Sequence, residues 1–289
     1  MSDLDLAAVD AAIERALDTG DESSLDVIGY GEISSVVAFE GHALKRLPLF
    51  DSQARVDAYR DTVERYLETL SARGVTPVDT RIGELPRGDG RFSVYCIQPI
   101  LPAHHLAVRR LAAADEQGAL ALFDKVLQCI VGAVGGLLGL DAQLSNWVVD
   151  DDGDVQYLDV TTPMLRRPDG SEILDTDLFL SSLPWMMRGV VRRFMLADIL
   201  GKYYDPRGAV VDLLGNLYKE RLGQHIPRFI ERANQVLDVP IEEQSVRKYY
   251  ASDKRTWAGL LFLRKLDRAW QQRVRRRQYP FLLPGRIER

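Results

Sequence analysis

The chain has 289 residues, 46% hydrophobic and 27% charged, with a formal net charge of −5 at pH 7. Such length and apolar content bury a sizeable core, which excludes disordered and fibrous classes and allows one large domain or two lobes. The acidic balance argues against nucleic acid as the main partner, because a polyanion asks for a basic surface.

The first residues, Met1-Ser2-Asp3-Leu4-Asp5-Leu6, are acidic and lack the basic and apolar regions of a signal peptide, so a cytoplasmic location is expected. A helix is predicted from about Leu4 to Leu17. The segment Asp26 to Phe39 is β-prone, with Gly29 and Gly31 near its start and Ser34 beyond them, and Glu40-Gly41 turns it into His42-Ala43-Leu44-Lys45. Helical spacing of Val56, Tyr59, Val63, Tyr66, Leu67 and Leu70 predicts a helix over Ser52 to Arg73, with Glu64 and Glu68 one turn apart on it. Phe92 to Ile100 reads as a buried strand ending at proline. Cys96 and Cys129 both lie in apolar runs, which suggests reduced, buried thiols rather than a disulfide framework.

The apolar run Val126 to Leu140 is too short to span a membrane, which takes about 20 residues, and reads as a buried helix whose glycines permit close packing. After it, Asn146-Trp147-Val148-Val149 and Val155 to Val160 flank the turn sequence Asp150-Asp151-Asp152-Gly153-Asp154 and predict a hairpin. Asn146 and Asp159 then fall at the open end of one ribbon, where an amide oxygen and a carboxylate are hard ligands of the kind magnesium takes. Asp141 stands five residues before Asn146 in a loop, within reach of what such a metal holds. The Asp-rich turn lacks the alternating ligands of a calcium loop and reads as a solvated tip. His42, His104, His105 and His225 show no metal spacing beyond one adjacent pair, and read as exposed loop residues at 104 and 105.

Asp141-Ala142-Gln143-Leu144-Ser145-Asn146, followed thirteen residues later by Asp159-Val160-Thr161, resembles the catalytic and metal-binding segments of the protein-kinase-like superfamily. Its aminoglycoside and choline phosphotransferase branch is the most similar. The resemblance covers about residues 25 to 180 and implies an α+β, two-lobed fold. Residues 1–100 would form an N-terminal helix and a nucleotide-binding lobe with a small antiparallel sheet. Residues 101–289 would form a mainly helical lobe with the catalytic loop and metal site.

The resemblance also implies cofactors and roles: ATP and magnesium, with Asn146 and Asp159 as metal ligands and Asp141 as the base for a substrate hydroxyl. Gly29, Gly31 and Ser34 would cover the phosphates, since a residue without a β-carbon lets the backbone come close to phosphate oxygens. Lys45 would pair with the α and β phosphates, Glu64 would position Lys45, and the backbone after Phe92–Ile100 would meet the adenine.

Three departures stand out. Gly139-Leu140 replace the His-Gly or His-Arg that precedes the catalytic aspartate, Val160-Thr161 follow the metal aspartate, and no Ala-Pro-Glu segment appears. The last, together with the aspartate-led Asp175-Thr176-Asp177-Leu178, favours a small-molecule hydroxyl substrate. The expectation is a small-molecule phosphotransferase. The alternatives are a pseudokinase serving as a nucleotide-binding or interaction module, and a kinase-fold enzyme that phosphorylates protein or transfers a nucleotidyl group.

The C-terminal third is helical and basic. Leu260, Leu263, Leu266, Trp270 and Val274 form a stripe expected to dock, with arginines and lysines on the remaining faces, where an acidic substrate, an anionic membrane or a protein partner could bind. Arg188, Arg192 and Arg193 beside Trp185 are a further candidate for a substrate cleft.

Overall fold

Helix α1 (Leu6–Thr19) begins where the Asp5 carboxylate accepts the Ala8 amide at 3.0 Å, and ends at Gly20, whose φ of 75° supplies the left-handed closing turn. Its apolar stripe, Val9, Ile13 and Leu17, is buried with Val37, Leu44, Tyr95 and Ile97 of a sheet. The polar side of this contact is also buried. Arg46 and Arg87 pair with Asp10 and Glu14, and the Tyr95 hydroxyl donates to Asp10. Each buried charge is therefore opposed by another, as burial requires. These coordinates are a computed structural model that describes residues 4–30, 35–181, 183–194 and 196–275.

The sheet contains β1 (Asp26–Tyr30), β2 (Ser35–Phe39), β3 (His42–Arg46), β4 (Arg81–Pro86) and β5 (Phe92–Pro99), all antiparallel, in the order β1-β2-β3-β5-β4. Glu40 and Gly41 both have positive φ, 46° and 76°, the two-residue turn whose twist matches a hairpin, and Phe39 pairs with His42 across it. The register places Lys45 opposite Val36 on one side and Cys96 on the other. Between β3 and β4, α2 (Gln53–Ala72) buries Val56, Tyr59, Thr62, Val63, Tyr66 and Leu70.

The remainder is mainly helical: α3 (Ala107–Ala113), α4 (Glu116–Ala133), α5 (Thr176–Leu180), α6 (Trp185–Phe194), α7 (Leu196–Gly201), α8 (Pro206–Lys219), α9 (Ile226–Ala233) and α10 (Glu243–Arg273). It holds one small ribbon, β6 (Trp147–Val149) and β7 (Val155–Tyr157). The fold is thus mixed α+β, a small antiparallel sheet with a helical remainder. Phe123 of α4 stacks on Phe229 of α9 with ring centroids 4.1 Å apart. In α8, a β-carbon at Gly215 would stand 2.7 Å from the Tyr249 ring, so glycine is what lets α10 pack this closely. No helix among the described residues is long and apolar enough to cross a membrane.

Two expectations are corrected. The run from Val126 to Leu140 is not one helix. Helix α4 ends at Ala133, Val134 is extended, and Gly135 and Gly136 take positive φ in a turn closed by reciprocal hydrogen bonds between Gly135 and Leu138. Val134, Leu138 and Leu140 stay buried as loop residues, so apolarity there marks core rather than helix. On α10 the docked face is also different. Arg264 is 3% exposed while Leu266, Trp270 and Val274 are about half exposed, because the helix rests on the side of Arg264.

Candidate active site

The ribbon stands where sheet and helices meet. The Tyr157 amide donates to the Thr76 carbonyl at 2.8 Å and its own carbonyl accepts the Val78 amide at 2.9 Å, tying β7 to the segment between α2 and β4. Gln98, at the end of β5, donates to the Leu158 carbonyl at 2.8 Å. Trp147 pairs with Tyr157 across the ribbon, and the Leu158 amide donates to the Asn146 carbonyl at 2.8 Å. Asn146 and Asp159 therefore share the open end, as their spacing predicts. The other end is the predicted polar tip: Gly153 has a φ of 82°, and the Asp150 carboxylate accepts the Asp154 amide at 2.8 Å.

Asp159 meets Lys45 there, 114 residues away in sequence. The Lys45 ammonium donates to both carboxylate oxygens, at 3.1 and 3.2 Å, and to the Thr161 hydroxyl at 2.7 Å. Thr161 in turn donates its hydroxyl to Asp159 Oδ1 at 2.7 Å and its amide at 3.2 Å. Burial pushes the Asp159 carboxyl up, but the Lys45 charge and the Thr161 and Lys45 hydrogen bonds outweigh it and hold the group below its ordinary value of 3.8. Beside this pair, burial pushes the Cys96 thiol up to about 12, so it stays an inert thiol.

That depression fixes a pH dependence. The unfolded chain takes up the Asp159 proton at a higher pH than the folded one, so the stabilisation is complete above the unfolded value. It is lost as pH falls through the lower folded value. As pH falls below about 5, urea unfolding should lose stability more steeply in the wild type than in Lys45→Met. In that variant burial is no longer opposed by the ammonium, and an unchanged slope would dismiss the pair as the source.

The loop from Gly139 to Asn146 is braced on three sides. Tyr66 of α2 donates its hydroxyl to the Gly139 carbonyl at 3.0 Å, and the Leu140 amide donates to the Tyr203 carbonyl at 3.0 Å. The Asp141 carbonyl accepts the Tyr157 hydroxyl at 3.2 Å and the Asn146 side-chain amide at 3.1 Å. Because the Asn146 nitrogen faces Asp141, its amide oxygen remains as the donor toward a cation. The Asp141 carboxylate accepts the Gln143 amide at 3.4 Å. Burial pushes the phenols of Tyr66 and Tyr157 up, which keeps both as protonated donors. Tyr66→Phe would leave a buried carbonyl unpaired and should cost about 1–3 kcal/mol in denaturant unfolding.

Glu64 is the predicted residue that the structure does not bring in. It is exposed on α2, and the Lys45 ammonium is held by Asp159 and Thr161. The face of α2 turned inward carries Tyr59, Val63 and Tyr66, and Tyr59 donates its hydroxyl to the Thr161 carbonyl at 3.0 Å. Gly29 lies in β1 beside an irregularity between Val27 and Gly29. A β-carbon there would meet Val36 at an ordinary 3.8 Å, so packing within the chain does not demand a glycine. Gly31 and Ser34 lie outside the described residues.

Two arginines of α6 are committed elsewhere. Arg188 donates to the carbonyls of Ser181 and Leu183, and Arg192 pairs with Asp177. Asp175 leads α5 as expected, accepting the Asp177 amide at 2.9 Å, and pairs with Arg55 of α2. His104, His105 and Asp151 do cluster, but the Arg110 guanidinium lies 3.1 Å from the same Asp151 oxygen that His105 contacts.

The model of a protein family matches residues 8–268, nearly the whole of this arrangement. The chain belongs to DUF6206, a family of unknown function. No curated protein matches it. In this DUF6206 chain, the residues that sequence reasoning missed are Thr161, Tyr59, Tyr66, Tyr157 and Gln98. Thr161 had a local signal, since a hydroxyl two residues after an aspartate commonly turns back onto it. The tyrosines had none, because aromatic residues at helix or strand spacing read as core.

Proposed function

We propose that this protein is an ATP- and magnesium-dependent phosphotransferase that acts on a hydroxyl group of a small molecule, on a two-lobed protein-kinase-like fold divided near residue 100. The observation that carries this reading is the contact of Lys45 and Asp159, which joins the strand lysine to the ribbon aspartate beside Asn146 and the Asp141 loop. The chain order supports it too: β-hairpin, lysine strand, helix, strand, apolar helix, aspartate loop and ribbon follow one another as the resemblance requires.

The donor set fits magnesium. Asp159 is held ionised and the Asn146 side-chain nitrogen is engaged by the Asp141 carbonyl, which leaves the amide oxygen for the ion, while the Lys45 ammonium now on both Asp159 oxygens would move to phosphate oxygens. When bound, the ion would neutralise phosphate oxygens. Lys45 would hold phosphate oxygens as well, and Asp141 would accept the proton of the acceptor hydroxyl. The hydroxyl oxygen then bonds to the γ phosphorus as the bond to the bridging oxygen breaks, and ADP leaves.

Magnesium-dependent transfer from γ-labelled ATP to a panel of small alcohols and aminoglycosides tests the reading. Label in a small molecule is the expected result. Label in protein instead, or transfer from α-labelled ATP, would assign the site to protein phosphorylation or nucleotidyl transfer. The exposed Glu64 and Leu140 before Asp141 favour a second reading, a nucleotide-binding module without turnover. Binding of ATP with no transfer of either label would select it.

A further inference from the structure

Helix α10 carries an exposed apolar face whose composition points to one kind of partner. Phe262, Leu266, Trp270 and Val274 are 62%, 51%, 49% and 57% exposed. Residues four apart drift only about 40° around a helix, so these four make one continuous strip about 18 Å long. Large apolar side chains this exposed, and contiguous, mark an interaction surface rather than ordinary scatter.

The opposite face is what holds the helix down. Arg264 is buried, and the Arg268 guanidinium reaches to 3.8 Å from where a β-carbon on Gly20 would stand, at the end of α1. The strip therefore points outward along the side of the molecule. Arg255 and Arg273 share its sector at either end, with Lys265 along one edge, and all three are exposed. From Lys254 to Arg275 the one carboxylate in the sequence is Asp267, which is partly buried and accepts a hydrogen bond from Gln271. An apolar strip with an aromatic residue, bordered by cations and free of exposed carboxylates, is complementary to a surface that is apolar below and anionic above.

We infer that α10 docks the protein on an anionic lipid surface, lying flat with Phe262, Leu266 and Trp270 among the acyl chains and Arg255, Lys265 and Arg273 at the headgroups. Apolar burial and headgroup charge act together in such binding, and lysine and arginine stems can extend along the strip to reach the headgroups. Protein interfaces, by contrast, are depleted in lysine at their centres. The overall charge of −5 does not oppose this, because at physiological salt only charges within about 8 Å of the surface are felt strongly.

The test is co-sedimentation of the full chain with phosphatidylcholine vesicles, with and without about 30 mol% phosphatidylserine. The wild type should partition at least about tenfold more strongly onto the anionic vesicles, and Trp270→Glu should lose about tenfold or more. Reversing Lys265 and Arg273 to glutamate should cost about fivefold per charge, and added salt should weaken wild-type binding. Unchanged thermal melting of these surface variants would exclude misfolding as the cause. Equal binding to both vesicle types, no binding by the wild type, or full binding by Trp270→Glu would overturn the inference. So would a Trp270-dependent dimer in light scattering without vesicle binding, which would give the strip to a second copy.

Discussion

Asp159→Ala is expected to weaken ATP binding about 100-fold in the presence of magnesium while leaving metal-free ATP binding within a fewfold of the wild type. The split follows from what the carboxylate touches. In the proposed site Asp159 would be the ionised ligand at the open end of the ribbon, and Asn146 would contribute a neutral oxygen alone, too little to hold a divalent ion beside phosphates. Truncating a charged partner of this kind costs about 2–5 kcal/mol in binding. Lys45, released from its contact with Asp159, keeps its charge for phosphate oxygens. Calorimetric titration of both proteins with and without magnesium measures the split. An equal loss under both conditions would mean that the substitution damaged the pocket and that Asp159 is not a metal ligand.

Asp141→Asn should reduce phosphoryl turnover by about 10²–10⁴, the usual contribution of a positioned general base. Nucleotide affinity should stay within about twofold, because the Tyr66 hydroxyl, the Tyr157 hydroxyl and the Asn146 side-chain amide that brace this loop all donate to backbone carbonyls, which the substitution leaves in place. The amide side chain is nearly isosteric and can still accept the Gln143 amide, so the loop should keep its shape. Turnover is read with the acceptor found in the labelled-ATP screen, or with water as a slow acceptor. A variant as active as the wild type would remove Asp141 from the chemistry.

Much of the local structure is legible in the sequence because single segments carry their own periodicity. Val56, Tyr59, Val63, Tyr66 and Leu70 give α2 its phase, Phe92 to Pro99 gives β5, and Asp150 to Asp154 gives the ribbon its turn. The phase of α2 also contained the answer for Glu64. It lies about 120° around the helix from the centre of that apolar stripe, and Glu68 lies further still, so neither could face the sheet. The resemblance outweighed the geometry there.

The run from Val126 to Leu140 misleads for a different reason. Its first part is apolar because it is a buried helix, and its second because an irregular loop lines the same core. Composition does not separate the two, and the glycines at 135 and 136 are what end the helix. The bracing of that loop could not be read at all. Tyr66, Tyr157 and the Tyr203 carbonyl converge on Gly139 to Asp141 from segments 16 to 73 residues away, through phenols and backbone groups with no pattern in sequence. Together they support the loop from Gly139 to Asp141.

The most direct test of the account is titration of ATP into the wild-type protein with and without magnesium, read by calorimetry. The account predicts saturable one-to-one binding that magnesium strengthens. No heat of binding under either condition, with no nucleotide-induced shift in thermal melting, would contradict it and leave the contact of Lys45 and Asp159 as a structural ion pair.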